Sequence, residues 1–262
     1  GKGFLLHKIE SVVAFVSLHD VISIKKINSD NHKILFSGKF ANNIGKNNTV
    51  SHLLRILEKK KLLGNLKYQI KINKHIPSQS GLGGGSMNAA NILRYFLKKK
   101  IIKISKKEIG KICMQIGSDV ILGLSNKNTI LTSKNIIKNF SGCAKIYTLI
   151  VKPNFGCSTK DIYSLVKKYN KPLINKPHKK IFDLETLKKM ENSLEKVALS
   201  KYPQLRSMKS YLEKFLNPVF VRMTGSGSAL VAYYRTKKRC ENAKKMFSKK
   251  YKNCWCIASK TI

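Results

Sequence analysis

Acid is scarce in this chain of 262 residues: 13 Asp and Glu stand against 52 Lys and Arg, for a formal charge of +39. Arginine is scarce as well, with six against 46 lysines. Base edges and paired phosphate oxygens are read best by forked guanidinium groups. The lysines are scattered over polar faces rather than gathered in one arm. A nucleic-acid partner is therefore not expected, and the charge reads as a solvated Lys-rich surface that also attracts anionic substrates. Lys, Asn and Ile are abundant together, as in proteins of AT-rich bacterial genomes. No run of about 18 apolar residues appears, so no membrane span is expected, and no signal peptide is visible. The expected compartment is the cytoplasm.

Paired metal or redox ligands are also missing. Cys113, Cys143, Cys157, Cys240, Cys254 and Cys256 include no pair with a two-residue gap. The six His are isolated from one another and from Cys. No metal cage follows, and the thiols are expected to be reduced and mostly buried. No internal repeat is found.

A hydrophobic content of 42% is present, enough for a sizeable core and for two modest domains. Leu66 to Asn73 alternates apolar and polar residues, which predicts a half-buried strand. Ala89, Ile92, Leu93, Phe96 and Leu97 recur at helical spacing. Between them runs Ile76-Pro77-Ser78-Gln79-Ser80-Gly81-Leu82-Gly83-Gly84-Gly85-Ser86-Met87-Asn88. Glycines admit positive φ and close backbone approach to a ligand. The first amides of a helix have no internal partner and carry the positive end of its dipole, so the stretch predicts an anion cradle, with phosphate as its guest. A tight turn that binds nothing needs only one or two glycines. The string is not a Walker loop, because Ser86-Met87 follow the last glycine. It is not a dinucleotide fingerprint either, because Ser86 holds the sixth position.

The stretch resembles the second motif of the GHMP kinases. Met87 stands where that motif has a second serine. Two further segments carry the resemblance. Gly117-Ser118-Asp119-Val120 is similar to the family's Gly-(Ala/Ser)-Asp-(Val/Ile), and Arg222-Met223-Thr224-Gly225-Ser226-Gly227-Ser228-Ala229 to its third motif. Read without the family, Asp119 caps the next helical turn, and Gly225 and Gly227 sit in a plain hairpin. The resemblance implies instead that Asp119 takes the proton of a substrate hydroxyl. It implies that ATP, with Mg²⁺, is bound by Lys74, by Pro77 to Asn88 (Pro77, Ser78, Gln79, Ser80, Gly81, Leu82, Gly83, Gly84, Gly85, Ser86, Met87, Asn88) and by Gly225 and Gly227.

The resemblance further implies a cytidine-diphosphate-linked methylerythritol as the small-molecule substrate, phosphorylated on its 2-hydroxyl in the non-mevalonate isoprenoid route. His7, Thr159 and Tyr163 are the implied substrate contacts; Tyr163 is otherwise an ordinary core aromatic. Glu191-Asn192-Ser193-Leu194-Glu195 is similar to the family's Asn-Asp-Leu-Glu and reads as an aid to recognition rather than chemistry. A homoserine or mevalonate type of GHMP kinase is the alternative within the family, and a basic nucleic-acid-binding module the alternative outside it. The family's opening strand and its Lys are not found before His7. The chain is thus expected to lack the family's start and to turn over slowly. A monomer or homodimer is expected.

The fold class implied is α+β in two domains. Residues 1–142 would form a GHMP ATP-binding domain of left-handed βαβ type, and residues 143–262 a ferredoxin-like substrate domain. Along the chain, Ser11–Leu18, Val21–Ile27 and Lys33–Phe36 read as strands, with His19-Asp20 as a turn. Val50–Leu63 reads as a helix, and Ser105 with Glu108 as the capping box of another. Asn128–Ile137 reads as a hairpin arm, and residues 170–182 as a mobile connector.

Overall fold

The computed structural model describes residues 9–42, 44–167, 171–174 and 176–262. In chain order its elements are β1 (Ser11–Val13), β2 (Val21–Ile27), β3 (Lys33–Ser37), α1 (Thr49–Lys59), β4 (Lys67–Asn73), α2 (Gly84–Lys98), α3 (Lys106–Ile116), β5 (Asn128–Leu131), β6 (Ile137–Phe140), β7 (Tyr147–Lys152), α4 (Thr159–Ser164), α5 (Leu184–Lys189), α6 (Glu195–Lys201), α7 (Pro203–Phe215), β8 (Phe220–Met223), β9 (Leu230–Tyr234), α8 (Lys237–Lys250) and β10 (Trp255–Lys260). They divide into two compact units. One contains Leu18–Ser78 and Gly83–Asn126; the other contains the segment ending at Ser17, Gln79–Leu82 and Lys127–Ile262.

The first unit is built on a sheet in the order β2-β4-β3, with β4 antiparallel to β2 and parallel to β3. A parallel pair needs a crossover, and α1 supplies it. Register places Ile24 and Ile34 beside Ile70, and Ile22 and Phe36 beside Ile72, so one face of the sheet is apolar. Leu53 and Leu57 of α1 and Ile92, Leu93 and Phe96 of α2 belong to the same buried cluster as Ile70 and Ile72. Each large aliphatic removed from water there contributes about 1.5–3 kcal/mol. Asn48 begins α1 with a capping box that Ser51 completes. Ser105 and Glu108 do the same for α3, as their spacing predicts.

The second unit carries an antiparallel sheet in the order β10-β7-β9-β8. Numbered within this sheet, that order is 4-1-3-2, the ferredoxin-like arrangement expected of this half. Helices α7 and α8 supply Leu205, Met208, Leu212, Ala243 and Phe247 to its core. A smaller sheet, β1-β5-β6, belongs to the same unit. This division differs from the boundary expected at residue 142. Ile130 of β5 and Phe140 of β6 pack with Ile174, Ile181 and Phe182 of the second unit, so the division falls after Asn126.

The same cluster corrects the connector reading. Ile174, Ile181 and Phe182 are buried, and residues 179–182 form a 3-10 turn. The first expected strand is also shorter, at Ser11–Val13, although Val16 still bridges Thr261.

Candidate functional site

In the first unit, β4 ends at Asn73, paired with Val21. That register puts Asp20 level with the exit of β4. Its Oδ1 accepts the backbone N–H groups of His75 at 2.8 Å and Ile76 at 2.9 Å. Its Oδ2 accepts from the Asn88 side-chain amide at 2.9 Å and pairs with the Lys74 ammonium. The side chains of Asp20 and Lys74 are 1% and 5% exposed. Two charges so far from water persist because they are paired and hydrogen-bonded.

Helix α2 starts at Gly84 without a side-chain cap, since its N-cap is Gly83 in the left-handed region at φ 69°. A Cβ added to Gly83 would meet nothing within 4 Å, so the backbone there borders open space. An uncapped helix start beside open space, with glycine at the point of approach, fits an anionic ligand. At Gly84 the reason for glycine is different: a Cβ would lie 2.9 Å from Ile76 Cγ2. Thr49 Oγ1 donates to the Gly85 carbonyl at 2.8 Å, tying the start of α1 to that of α2.

Asp119 follows α3 in a turn leading into the 3-10 segment Ile121–Leu124. No side chain caps that segment, which opens from Val120, so the capping reading of Asp119 is not what the structure contains. The turn is fastened to α2 through Gly123. A Cβ at Gly123 would lie 2.7 Å from Met87 Sδ and 2.8 Å from the Ala90 Cβ. Met87, which replaces a hydroxyl of the family motif, therefore packs on the turn that follows Asp119. The Asp119 residue surface is exposed, yet protein atoms crowd its carboxyl. That desolvation pushes its pKa above the usual carboxylate value, while a hydrogen bond with Ser118 acts in the opposite direction.

In the second unit, β8 and β9 are joined by the turn containing Gly225 at φ 52° and Gly227 at φ 86°. Gln79–Leu82 lies against this turn. The N–H of Ala229 donates to the Ser80 carbonyl at 3.0 Å, and Thr224 Oγ1 to the Gly81 carbonyl at 3.1 Å. A Cβ on Gly81 would come within 2.1 Å of the Thr224 carbonyl, so only glycine fits. The turn is also braced from the residue 192–195 segment. The Asn192 side-chain amide donates to the carbonyls of Met223 and Gly225, both at 2.8 Å, and Glu195 accepts the Met223 N–H at 2.6 Å. Arg222 donates to the Leu187 and Met190 carbonyls.

The structure thus gives the expected residues distinct places. Gly83, Gly84, Gly85, Ser86 and Met87 form the start of α2; Gly81, Gly225 and Gly227 meet in the second unit. Lys74 and Asn88 stand on Asp20 beneath the loop. Ser80 is buried and Ser78 exposed. Thr159 is exposed at the start of α4 and shares a hydrogen bond with Ser226 at 2.8 Å; Tyr163 is half-buried on the same helix. His7 lies outside the described residues. Sequence reasoning missed Asp20, which reads as a turn residue, and the bracing role of Asn192 and Glu195. The signal for Asp20 was its place as one of only 13 acidic residues, immediately before a strand. Among the described residues, no group of three or more His, Cys, Asp or Glu is placed to hold a metal ion.

Comparison with known proteins adds to this geometry. The family described as GHMP kinases N terminal domain matches residues 48–128, and GHMP kinases C terminal matches residues 174–253. The chain is 53% identical over 262 residues to a 4-diphosphocytidyl-2-C-methyl-D-erythritol kinase of Pelagibacter ubique (strain HTCC1062), covering 100% of this chain and 93% of that protein. It is 31% identical over 233 residues to a protein of the same description from Petrotoga mobilis, covering 86% and 88%. The fold is similar to the crystal structure of a 4-(cytidine 5'-diphospho)-2C-methyl-D-erythritol kinase, with TM-score 0.74, 19% identity and coverage of 97% and 90%. It is similar also to homoserine kinase from Cytophaga hutchinsonii, with TM-score 0.70, 16% identity and coverage of 95% and 88%.

Proposed function

Because the chain belongs to the GHMP kinases, we propose that it transfers the γ-phosphoryl group of ATP to the 2-hydroxyl of 4-diphosphocytidyl-2-C-methyl-D-erythritol, a step of non-mevalonate isoprenoid synthesis. One observation carries the mechanism: an uncapped, glycine-opened helix start and the turn bearing Asp119 are fastened together in one unit through Gly123, Met87 and Ala90. The choice of substrate is supported by the 53% identical relative, since folds of the homoserine type are nearly as similar.

Phosphoryl transfer asks a protein chiefly for positioning and charge stabilisation. The amides at the start of α2 would hold the phosphate oxygens, aided by the positive end of the helix dipole. Mg²⁺ supplies neutralisation of phosphate charge; such ions are held largely by phosphate oxygens and water, with one or two carboxylates. Asp119 would orient the substrate hydroxyl and accept its proton. Its raised pKa suits that work, because a base closer to the operating pH is a better proton acceptor. Thr159 and Tyr163 are the residues of the second unit proposed to meet the substrate.

The test is ADP release from ATP with three alcohols: the cytidylyl substrate, homoserine and mevalonate. Turnover with the cytidylyl compound alone is expected. Turnover with homoserine or mevalonate instead would overturn the substrate assignment, and no turnover with any alcohol would overturn the kinase reading.

A further inference from the structure

Asp20, directly before β2, has every acceptor position of its two oxygens occupied. Oδ1 takes the two backbone N–H groups on the strand side of the glycine stretch, at His75 and Ile76. Oδ2 takes the side-chain amide of Asn88, on the helix side. Lys74 Nζ, which also pairs with Oδ2, lies 3.5 Å from where a Cβ on Gly84 would stand. One buried group therefore ties the chain entering the loop to the first turns of the helix leaving it. His75 is held to the same segment through its Nδ1, 2.9 Å from the His19 carbonyl.

We propose that Asp20 is the positioning residue of the phosphate-binding loop, and that Asn88 and Lys74 serve ATP through Asp20 rather than by touching it. The proposal rests on the ATP-kinase reading. Glycine-rich backbone has many conformations to lose on ordering, and a cradle of amides gives its full benefit only when ordered before the ligand arrives. A side chain that is 1% exposed and fully bonded has no lone pair left for a nucleotide, so any effect of Asp20 on ATP must pass through the loop.

Asn88→Ala is the mild variant, since it leaves the Asp20–Lys74 pair intact; Asn88→Leu keeps the buried volume and separates loss of the amide from a cavity. Two quantities are read on the whole chain: hydrogen exchange of the amides of residues 87–90 without nucleotide, and ATP affinity by calorimetry. Both variants are expected to exchange faster at those amides, with the interior of β2 unchanged, and to bind ATP about tenfold or more weakly, as loss of a hydrogen bond to a charged group implies. Unchanged exchange in the free protein with weakened ATP binding would mean that Asn88 touches ATP directly, and would overturn the proposal. Unchanged ATP affinity in the variants, with a wild-type chain that binds ATP, would overturn the proposal alone. A wild-type chain that does not bind ATP would overturn the kinase reading and this inference with it.

Discussion

The two glycine turns are held by different chemistry. In the first unit, a carboxylate and an ammonium sit almost wholly out of water, and the loop ends hang on that pair. In the second, the support is a neutral amide and a Glu195 whose side chain is 17% exposed and shared with Lys209. In the second set water reaches the bond to the Gly225 carbonyl, while the Asp20 and Lys74 side chains of the first are almost wholly shut away. Two glycine-rich turns, one leading from strand to helix and one closing a hairpin, thus rest on unequal foundations: a buried charge pair in the first, neutral and partly solvated bonds in the second.

Breaking each foundation sharpens that contrast. Asp20→Ala leaves the Lys74 ammonium buried and unpaired and two loop amides unmet. It is expected to destabilise the fold by about 3–5 kcal/mol, read by urea unfolding. Asn192→Ala removes two bonds, one to the carbonyl of buried Met223 and one to that of exposed Gly225, and about 1–2 kcal/mol is expected from the same measurement. Thr49→Val removes a single exposed bond to the Gly85 carbonyl and is expected to cost about 0.5–1.5 kcal/mol. Equal losses for Asp20→Ala and Asn192→Ala would erase the distinction between the two turns.

Much of this was legible in the chain. The alternation before the loop predicts β4 within one residue, and the helical spacing after it predicts α2. Ser105 and Glu108 announce α3 because a capping box is a local device. What was not legible depends on register and on partners far along the chain. Asp20 reads as a turn until antiparallel pairing sets Val21 against Asn73 and brings it to the exit of β4. Asn192 reads as a marker of kinship until its amide is seen spanning two carbonyls more than thirty residues away. Residues 170–182 look like a connector because they are basic and Pro-containing, yet Ile174, Ile181 and Phe182 close a core with Ile130. Likewise, no local signal placed the hairpin β5–β6 with the second unit; Ile130 and Phe140 did so through packing.

In the proposed mechanism Asp119 accepts the proton of the alcohol while the amides of α2 hold the phosphates. The direct measurement is kcat/KM against pH for the wild-type chain and Asp119→Asn, with ATP affinity taken in parallel. Protein atoms crowding its carboxyl raise the Asp119 pKa, and the base works only when ionised, so wild-type activity is expected to fall as pH drops through a value above that of an ordinary Asp. Asp119→Asn is expected to lose turnover by about 10²–10⁴-fold above that pH, with the difference shrinking below it, while binding ATP as before. Near-normal turnover in Asp119→Asn, with the same acid limb, would contradict the account.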